Sequence, residues 1–369
     1  MKKQTILCVM MALVIIFVPS CKNKSNKAIS VAVNLPLTGY IGSYGQRMQT
    51  GMDMAREDLA EEMKEQGIDF VFDYQDNRGE TKDVITIYNK QMMSKPDVYM
   101  SGITTQTMAI IDQVRKADVI HFLWSWTPLY LEEGNKEFRS WLNFGSEARL
   151  YIDYILKNQP KRVAYLHIDN IGSKVQCQEV VLPAVKKELP DIEFYTEQYP
   201  ATTTDFKNII TKVKQFNPDL IIASGYKESL ISMVQYLDAY KFDRSKIYCS
   251  MDLLEAIDEV SNEDIEGLHV SAPEFNIASI QSPETKAWID VFKQRFGRIP
   301  VYTEAYGYDL VHSLYLAAKL SQEEGINLYE ALHKVNFAGV TGQVYYTATG
   351  DIVDNLHIGV FHNGQLIIE

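Results

Sequence analysis

At 369 residues the chain has room for roughly two domains of ordinary size, and 46% hydrophobic with 23% charged residues is the composition of a globular protein with an ample core. The formal net charge of −12 argues against sequence-independent nucleic-acid binding, which needs a basic surface, so nucleic acid is not an expected partner. The order of elements begins with a leader. Lys2 and Lys3 precede the apolar run Ile6 to Val18, and Pro19-Ser20-Cys21 follows, the layout of an export signal. That run is short of the ~20 residues a membrane-spanning helix needs. The expected divisions are a signal segment 1–21, a polar tether 22–28 and a folded body from residue 29 onward.

The body opens on a strand in which Val31, Val33 and Leu35 alternate with small or polar residues. Thr38, Gly39, Tyr40, Gly42, Ser43, Tyr44 and Gly45 then make a Gly-rich connection. A long helix follows, on which Met48, Met52, Ala55, Leu59 and Met63 share a face. Next come a strand at Asp69 to Tyr74, a helix at Thr81 to Ser94, and a strand at Asp97 to Gly102. A helix runs from Ile103 through Lys116, and a strand spans Val119 to Trp124. This βαβαβαβ order predicts a parallel sheet wrapped by helices with right-handed crossovers. Trp141 to Phe144 reads as extended and Glu147 to Lys157 as helix.

A second round follows. Strands are expected at Arg162 to Ile168, Ile192 to Tyr199, Leu220 to Ala223 and Lys246 to Cys249, with helices at Lys174 to Glu188, Phe206 to Phe216 and Leu230 to Tyr240. Asn217-Pro218 ends the second of these helices. The last third returns to helices, one carrying Trp288, Ile289, Phe292 and Phe296 up to a capping Gly297, another over Glu304 to Leu320. From Gly342 the chain becomes strand-like, with Thr349-Gly350-Asp351 and Asn363-Gly364 as turns.

No catalytic constellation is present: no GxSxG, no Walker loop, no HExxH, and a Gly42-x-x-Gly45 spacing that is not a dinucleotide fingerprint. No CxxC or Cys/His cluster has metal-ligand spacing, so neither cofactor nor metal is expected and the protein does not read as an enzyme. Cys177 and Cys249 are free to pair in an exported protein, but their spacing does not decide it. What recurs is a style of binding. Loops at strand carboxyl ends carry hydroxyls and aromatics: Tyr40 and Tyr44, Thr104 to Thr107, Ser125 to Thr127, Gly225-Tyr226 and Ser250-Met251-Asp252. Hydroxyls suit a carboxylate, aromatics an apolar body, and a carboxylate such as Asp252 an ammonium.

Several stretches carry a family resemblance: PLTGYIGSYGQRMQTGMDMA, the turn Asp76 to Thr81, Gly102 to Thr107, KRVAYLHIDNIGSK, TTDFKNIITKVKQFNPDLIIASGY, and TGQVYY with a later TGD. From Ile29 to Glu369 the chain resembles the substrate-binding proteins of bacterial ABC transporters of the branched-chain amino-acid type. That resemblance implies an α/β protein of two Rossmann-like lobes, the type I periplasmic binding protein fold, joined by a multi-strand hinge. The lobes expected are 29–144 plus 272–337 and 145–271 plus 338–369. Cys21, after Val18-Pro19-Ser20, resembles the acylated cysteine of a lipobox, which implies a lipid anchor in the cell envelope.

Position by position, the resemblance implies that Tyr44 covers a ligand. It implies that Thr105, with Thr104 or Gln106 as register alternatives, grips a carboxylate. Ser125 and Trp126 would face the carboxylate and amino group, Tyr226 would add a second-lobe aromatic, and Asp252 would hold an ammonium. Trp126 is bulkier than the family's usual residue there, and Ile171 stands where an aromatic often precedes the second lobe's Gly. The implied partners are a small amino-acid-like ligand and a membrane permease. A ligand sensor that signals to a membrane receptor is the alternative.

Overall fold

The computed structural model describes residues 28–127, 131–353 and 355–369. The leader, Cys21 and the tether through Lys27 lie outside the described residues. The first unit alternates β1 (Ile29–Leu35), α1 (Gly42–Asp58), α2 (Ala60–Gln66), β2 (Phe70–Asp76), α3 (Thr81–Met92), β3 (Val98–Gly102), α4 (Thr104–Met108), α5 (Ile111–Ala117), β4 (Ile120–Trp124) and β5 (Glu137–Arg139). Its strands form one parallel sheet in the order β2-β1-β3-β4-β5. Every residue of β3 and β4 is buried, as expected of parallel strands covered by helices on both faces.

The second unit begins with α6 (Phe144–Asn158) and β6 (Arg162–Ile168). Helix α7 (Ile171–Lys174) continues through a π-helical turn, Val175–Val181, into α8 (Leu182–Glu188). Then come β7 (Glu193–Tyr199), α9 (Lys207–Phe216), β8 (Leu220–Ser224), α10 (Lys227–Ala239), β9 (Ile247–Cys249), a 3-10 turn Met251–Ala256, α11 (Asn262–Ile265) and β10 (His269–Pro273). The chain next returns to the first unit with α12 (Pro283–Phe296), α13 (Tyr302–Glu324), α14 (Leu328–Leu332) and the hairpin β11 (Asn336–Gly339) and β12 (Gly342–Tyr345). It ends in β13 (Leu356–His362) and β14 (Gln365–Ile368), which complete a seven-stranded sheet, β14-β13-β10-β9-β8-β6-β7. Strand β13 runs antiparallel to both β10 and β14.

Small residues set how closely α13 approaches α1. A Cβ on Gly51 would stand 1.9 Å from the Glu304 carbonyl oxygen, and one on Gly307 2.4 Å from that of Met48. Only glycine permits this crossing, and it fixes Tyr302 and Thr303 at the inner end of α13. After the hairpin, Tyr346 still packs edge-on against Phe122 and Phe138. The lobe boundary expected at residues 337 and 338 falls inside β11, and the chain rejoins the second sheet at Leu356. The buried Arg139 ties two of the crossings together. Its guanidinium donates to Asp351 Oδ1, from Nε at 2.7 Å, and to the Leu142 carbonyl at 2.7 Å.

Two local expectations are corrected. Trp141 to Phe144 is not a strand, because the Asn143 side chain accepts from the Gly145 and Ser146 amides and starts α6 at Phe144. The edge strand is instead Glu137–Arg139, short and doubly charged, with Arg139 neutralised from far along the chain. Helix α1 begins at Gly42, inside the stretch that reads as a loop, so Tyr44 lies on its first turn.

Candidate ligand-binding site

The strand carboxyl ends of both sheets face one another, the place where open α/β sheets bind ligands. Between them lies a cavity of about 40 Å³. From the first unit it is walled by Tyr44, Ile103, Thr104, Trp124, Trp126, Trp141 and Tyr302. From the second unit come Ile168, Asn170, Ser173, Ser224, Gly225, Tyr226, Met251 and Asp252. A larger concavity, about 940 Å³, sits at the opposite end of the first unit, where Ile29, Val119 and Ile120 mark the strand starts. It is open to solvent and takes nothing from the second unit, so the interlobe cavity is the better candidate.

The first-unit wall is built on buried polar scaffolding. Asn77 donates from Nδ2 to Asn34 Oδ1 at 3.0 Å and to the Gly102 carbonyl at 3.3 Å, which holds the end of β3. Thr104 follows, its hydroxyl oxygen accepting from the Trp126 amide at 3.0 Å and from Ser125 Oγ at 3.3 Å. The Thr104 proton therefore remains available to an acceptor in the cavity. Trp124 stands edge-on to Trp141 with ring centroids 5.0 Å apart, and Trp141 packs on Tyr302 at 5.4 Å. The indole nitrogens of Trp124 and Trp126 and the hydroxyl of Tyr302 are buried and have no hydrogen-bond partner. Unpaired buried donors are costly and call for an acceptor.

The second-unit wall depends on Glu147. Its carboxylate accepts from the Met251 amide at 2.9 Å and from Gln176 Nε2 at 3.2 Å, fixing the turn that carries Asp252. Burial pushes the Asp252 carboxyl up to about 7, against the pull of the Tyr44 hydroxyl and with help from nearby Glu147. Asn170 caps α7, accepting from the Ser173 amide at 2.8 Å.

The two walls meet. Tyr44 donates to Asp252 Oδ1 at 2.8 Å and accepts from the Lys227 amide at 3.0 Å. Its ring sits edge-on to Tyr226 at 5.9 Å. Beside the cavity, Arg47 of α1 reaches the second unit, binding Asp258 at 2.9 Å, Glu255 at 3.4 Å and the Glu255 carbonyl at 2.7 Å. Thr303 also donates to Glu255, and Lys227 pairs with Glu259 at 2.9 Å. Burial pushes Glu255 up to about 8 although Arg47 pulls it down.

The structure brings Tyr44, Thr104, Trp126, Tyr226 and Asp252 together on the cavity wall, with Ser125 directly behind Thr104. Thr105 is exposed on the outer side of α4 and stands away from the cavity. Gln106 is buried but turns aside, donating to the Gly79 carbonyl at 2.5 Å. Sequence reasoning missed Trp141, Tyr302, Asn170 and Ser173. The Asn-x-x-Ser spacing after β6, a helix-capping signature, was the one local signal for the last two. Cys177 and Cys249 are both buried free thiols, and burial pushes the Cys177 thiol up to about 12. Among the described residues no group of three or more His, Cys, Asp or Glu is placed to hold a metal ion.

Two α/β units that close on one cavity at their strand carboxyl ends define a type I periplasmic binding protein fold. The chain belongs to the periplasmic binding protein family, whose model matches residues 28–364. This is a family of binding proteins. The Leu/Ile/Val-binding protein homolog 3 of Brucella melitensis is 24% identical over 203 residues, and the chain spans about half the length of that curated relative. A leucine-binding protein from Thermotoga maritima superposes with a TM-score of 0.77 at 21% identity, covering 92% of this chain and 97% of that one. A branched-chain amino acid transporter substrate-binding protein from Streptococcus pneumoniae, in complex with isoleucine, gives 0.75 at 21% identity, with 92% and 98% covered. An ABC-transporter solute-binding protein from Rhodopseudomonas palustris, in complex with 3,4-dihydroxybenzoic acid, gives 0.80 at 18%, with 93% and 96% covered. At these identities the likeness is one of fold.

Proposed function

We propose that this protein captures a small ligand carrying a carboxylate and an amino group outside the cytoplasm and delivers it to an ABC permease. Acylation at Cys21 would hold it at the membrane. The observation that carries the reading is the Tyr44–Asp252 bond, which joins the two units across the wall of a shared cavity. Thr104, backed by Ser125, offers a hydroxyl to the carboxylate, and Asp252 offers its own carboxylate to the ammonium. Trp126 and Tyr226 flank the ligand, and Tyr44 covers it. Ligand binds one lobe and the other closes over it, a hinge motion in which the closed form is stabilised by contacts to both walls.

Isothermal titration and thermal shift with a panel of amino acids test the reading. Saturable binding with a raised melting temperature is the expected result, and silence toward every amino acid overturns it.

A further inference from the structure

We infer that Trp126 is a size filter, and that the ligand is a compact, acceptor-rich molecule in the range of glycine to alanine rather than leucine. The inference rests on the interlobe binding reading above and adds the ligand's size class to it.

The volume comes first. The cavity comes to about 40 Å³, a small fraction of the 940 Å³ concavity at the far end of the first unit, and its two walls already touch through Tyr44 and Asp252. The wall around it is aromatic and closely packed, so the side chain a ligand can carry depends on how far that wall retreats. Trp126 is the part of the wall that spans the interface. Its ring lies over Gly172 of the second unit, where an added Cβ would stand 3.5 Å from the indole Cε3, ordinary contact distance. On another side it meets Phe144 edge-on, with centroids 6.0 Å apart. Its backbone is tied to Thr104 Oγ1 at 3.0 Å. An indole packed on two elements of the second unit and anchored at its own amide to Thr104 of the first has little freedom to swing aside once the lobes are closed.

The polarity of the wall gives the second half of the inference. Trp126 Nε1 and the Tyr302 hydroxyl are buried on the cavity wall without partners. A hydrocarbon side chain would leave both unpaired, whereas a small ligand that is mostly carboxylate supplies acceptors to them.

Titration calorimetry on the full chain with two graded series is the test: glycine, alanine, valine and leucine, then acetate, propionate and benzoate. Affinity should fall at least about tenfold from alanine to leucine, because each methylene forced against a filled pocket costs ~10-fold or more. Trp126→Gly, with Trp126→Leu as a second variant, should reverse that order and favour leucine. Leucine binding as tightly as alanine to the unaltered protein overturns the filter and leaves the amino-acid reading standing. So does an unchanged order in a folded variant that still binds alanine. If only the carboxylates bind, and the compact ones bind best, the filter stands and the ammonium-binding reading falls. Silence in both series overturns both.

Discussion

One hydroxyl, that of Tyr44, donates to Asp252 Oδ1 at 2.8 Å and accepts from the Lys227 amide at 3.0 Å, so helix α1 of the first unit is joined to two turns of the second. Tyr44 keeps its proton at any ordinary pH, since burial and the Asp252 charge push it well above its usual range. It therefore acts as a fixed donor to whatever charge Asp252 carries.

Asp252 supplies a pH prediction. Burial raises its carboxyl to about 7, so near neutrality the closed protein holds it partly protonated. An ammonium beside it favours the ionised form, which lowers the pKa in the complex relative to the closed, empty protein. Binding then expels a proton below pH ~7, and affinity for an amino acid should rise with pH by at most about tenfold per unit before levelling off. Asp252→Asn should weaken binding and flatten the profile. Calorimetry from about pH 5 to 8 in two buffers of different ionisation enthalpy reads both the slope and the released proton. A flat profile in the unaltered protein removes Asp252 from the ammonium role.

Arg47 gives the second prediction. Its side chain is 9% exposed and pairs with Glu255 and Asp258, whose side chains are 0% and 10% exposed. Breaking one partner of a buried pair costs ~3–5 kcal/mol when the other charge stays buried. Here the partners lie on opposite units, and opening the cleft returns them to water. Arg47→Met should therefore act on closure more than on folding. Small-angle scattering should show a larger radius of gyration, and ligand affinity should fall at least about tenfold, for a shift of ~1.4 kcal/mol or more. The melting temperature should change little. An unchanged radius and affinity would mean that the cluster does not hold the lobes together.

Most strands were legible because parallel strands buried on both faces read as near-continuous apolar runs, as in Val98 to Gly102 and Ile120 to Trp124. Strand β5 was not, because its two charges are satisfied only in the folded chain, Glu137 by Arg115 at 2.8 Å and Arg139 by Asp351. The glycines near Tyr44 read as loop punctuation. Gly39 does have a positive φ of 85°, but Gly45 has another purpose: a Cβ there would lie 1.9 Å from the Pro36 carbonyl oxygen. A close approach between α1 and the loop before it leaves no periodic signature in sequence. In the site, residues just past strand ends could be anticipated from topology. Tyr302 could not, since it reaches the cavity only because Gly51 and Gly307 let α13 cross α1 closely.

The register of the hydroxyl segment is the last point the structure makes testable. Thr104, Thr105 and Gln106 are adjacent in sequence and differ completely in surroundings. Thr104 faces the cavity and accepts from the Trp126 amide at 3.0 Å, Thr105 is exposed, and Gln106 serves the Gly79 carbonyl. Thr104→Val keeps the shape but leaves the Trp126 amide unpaired and removes a donor to the ligand, a loss of ~1–3 kcal/mol. Amino-acid affinity should drop about tenfold or more. Thr104→Ser should recover most of it, because the hydroxyl returns. Thr105→Ala should bind as the unaltered protein does, within the ~0.5 kcal/mol expected of a surface change. Calorimetry on the three variants decides the register. Loss in Thr105→Ala with retention in Thr104→Val would move the carboxylate contact one residue along the chain and out of this cavity.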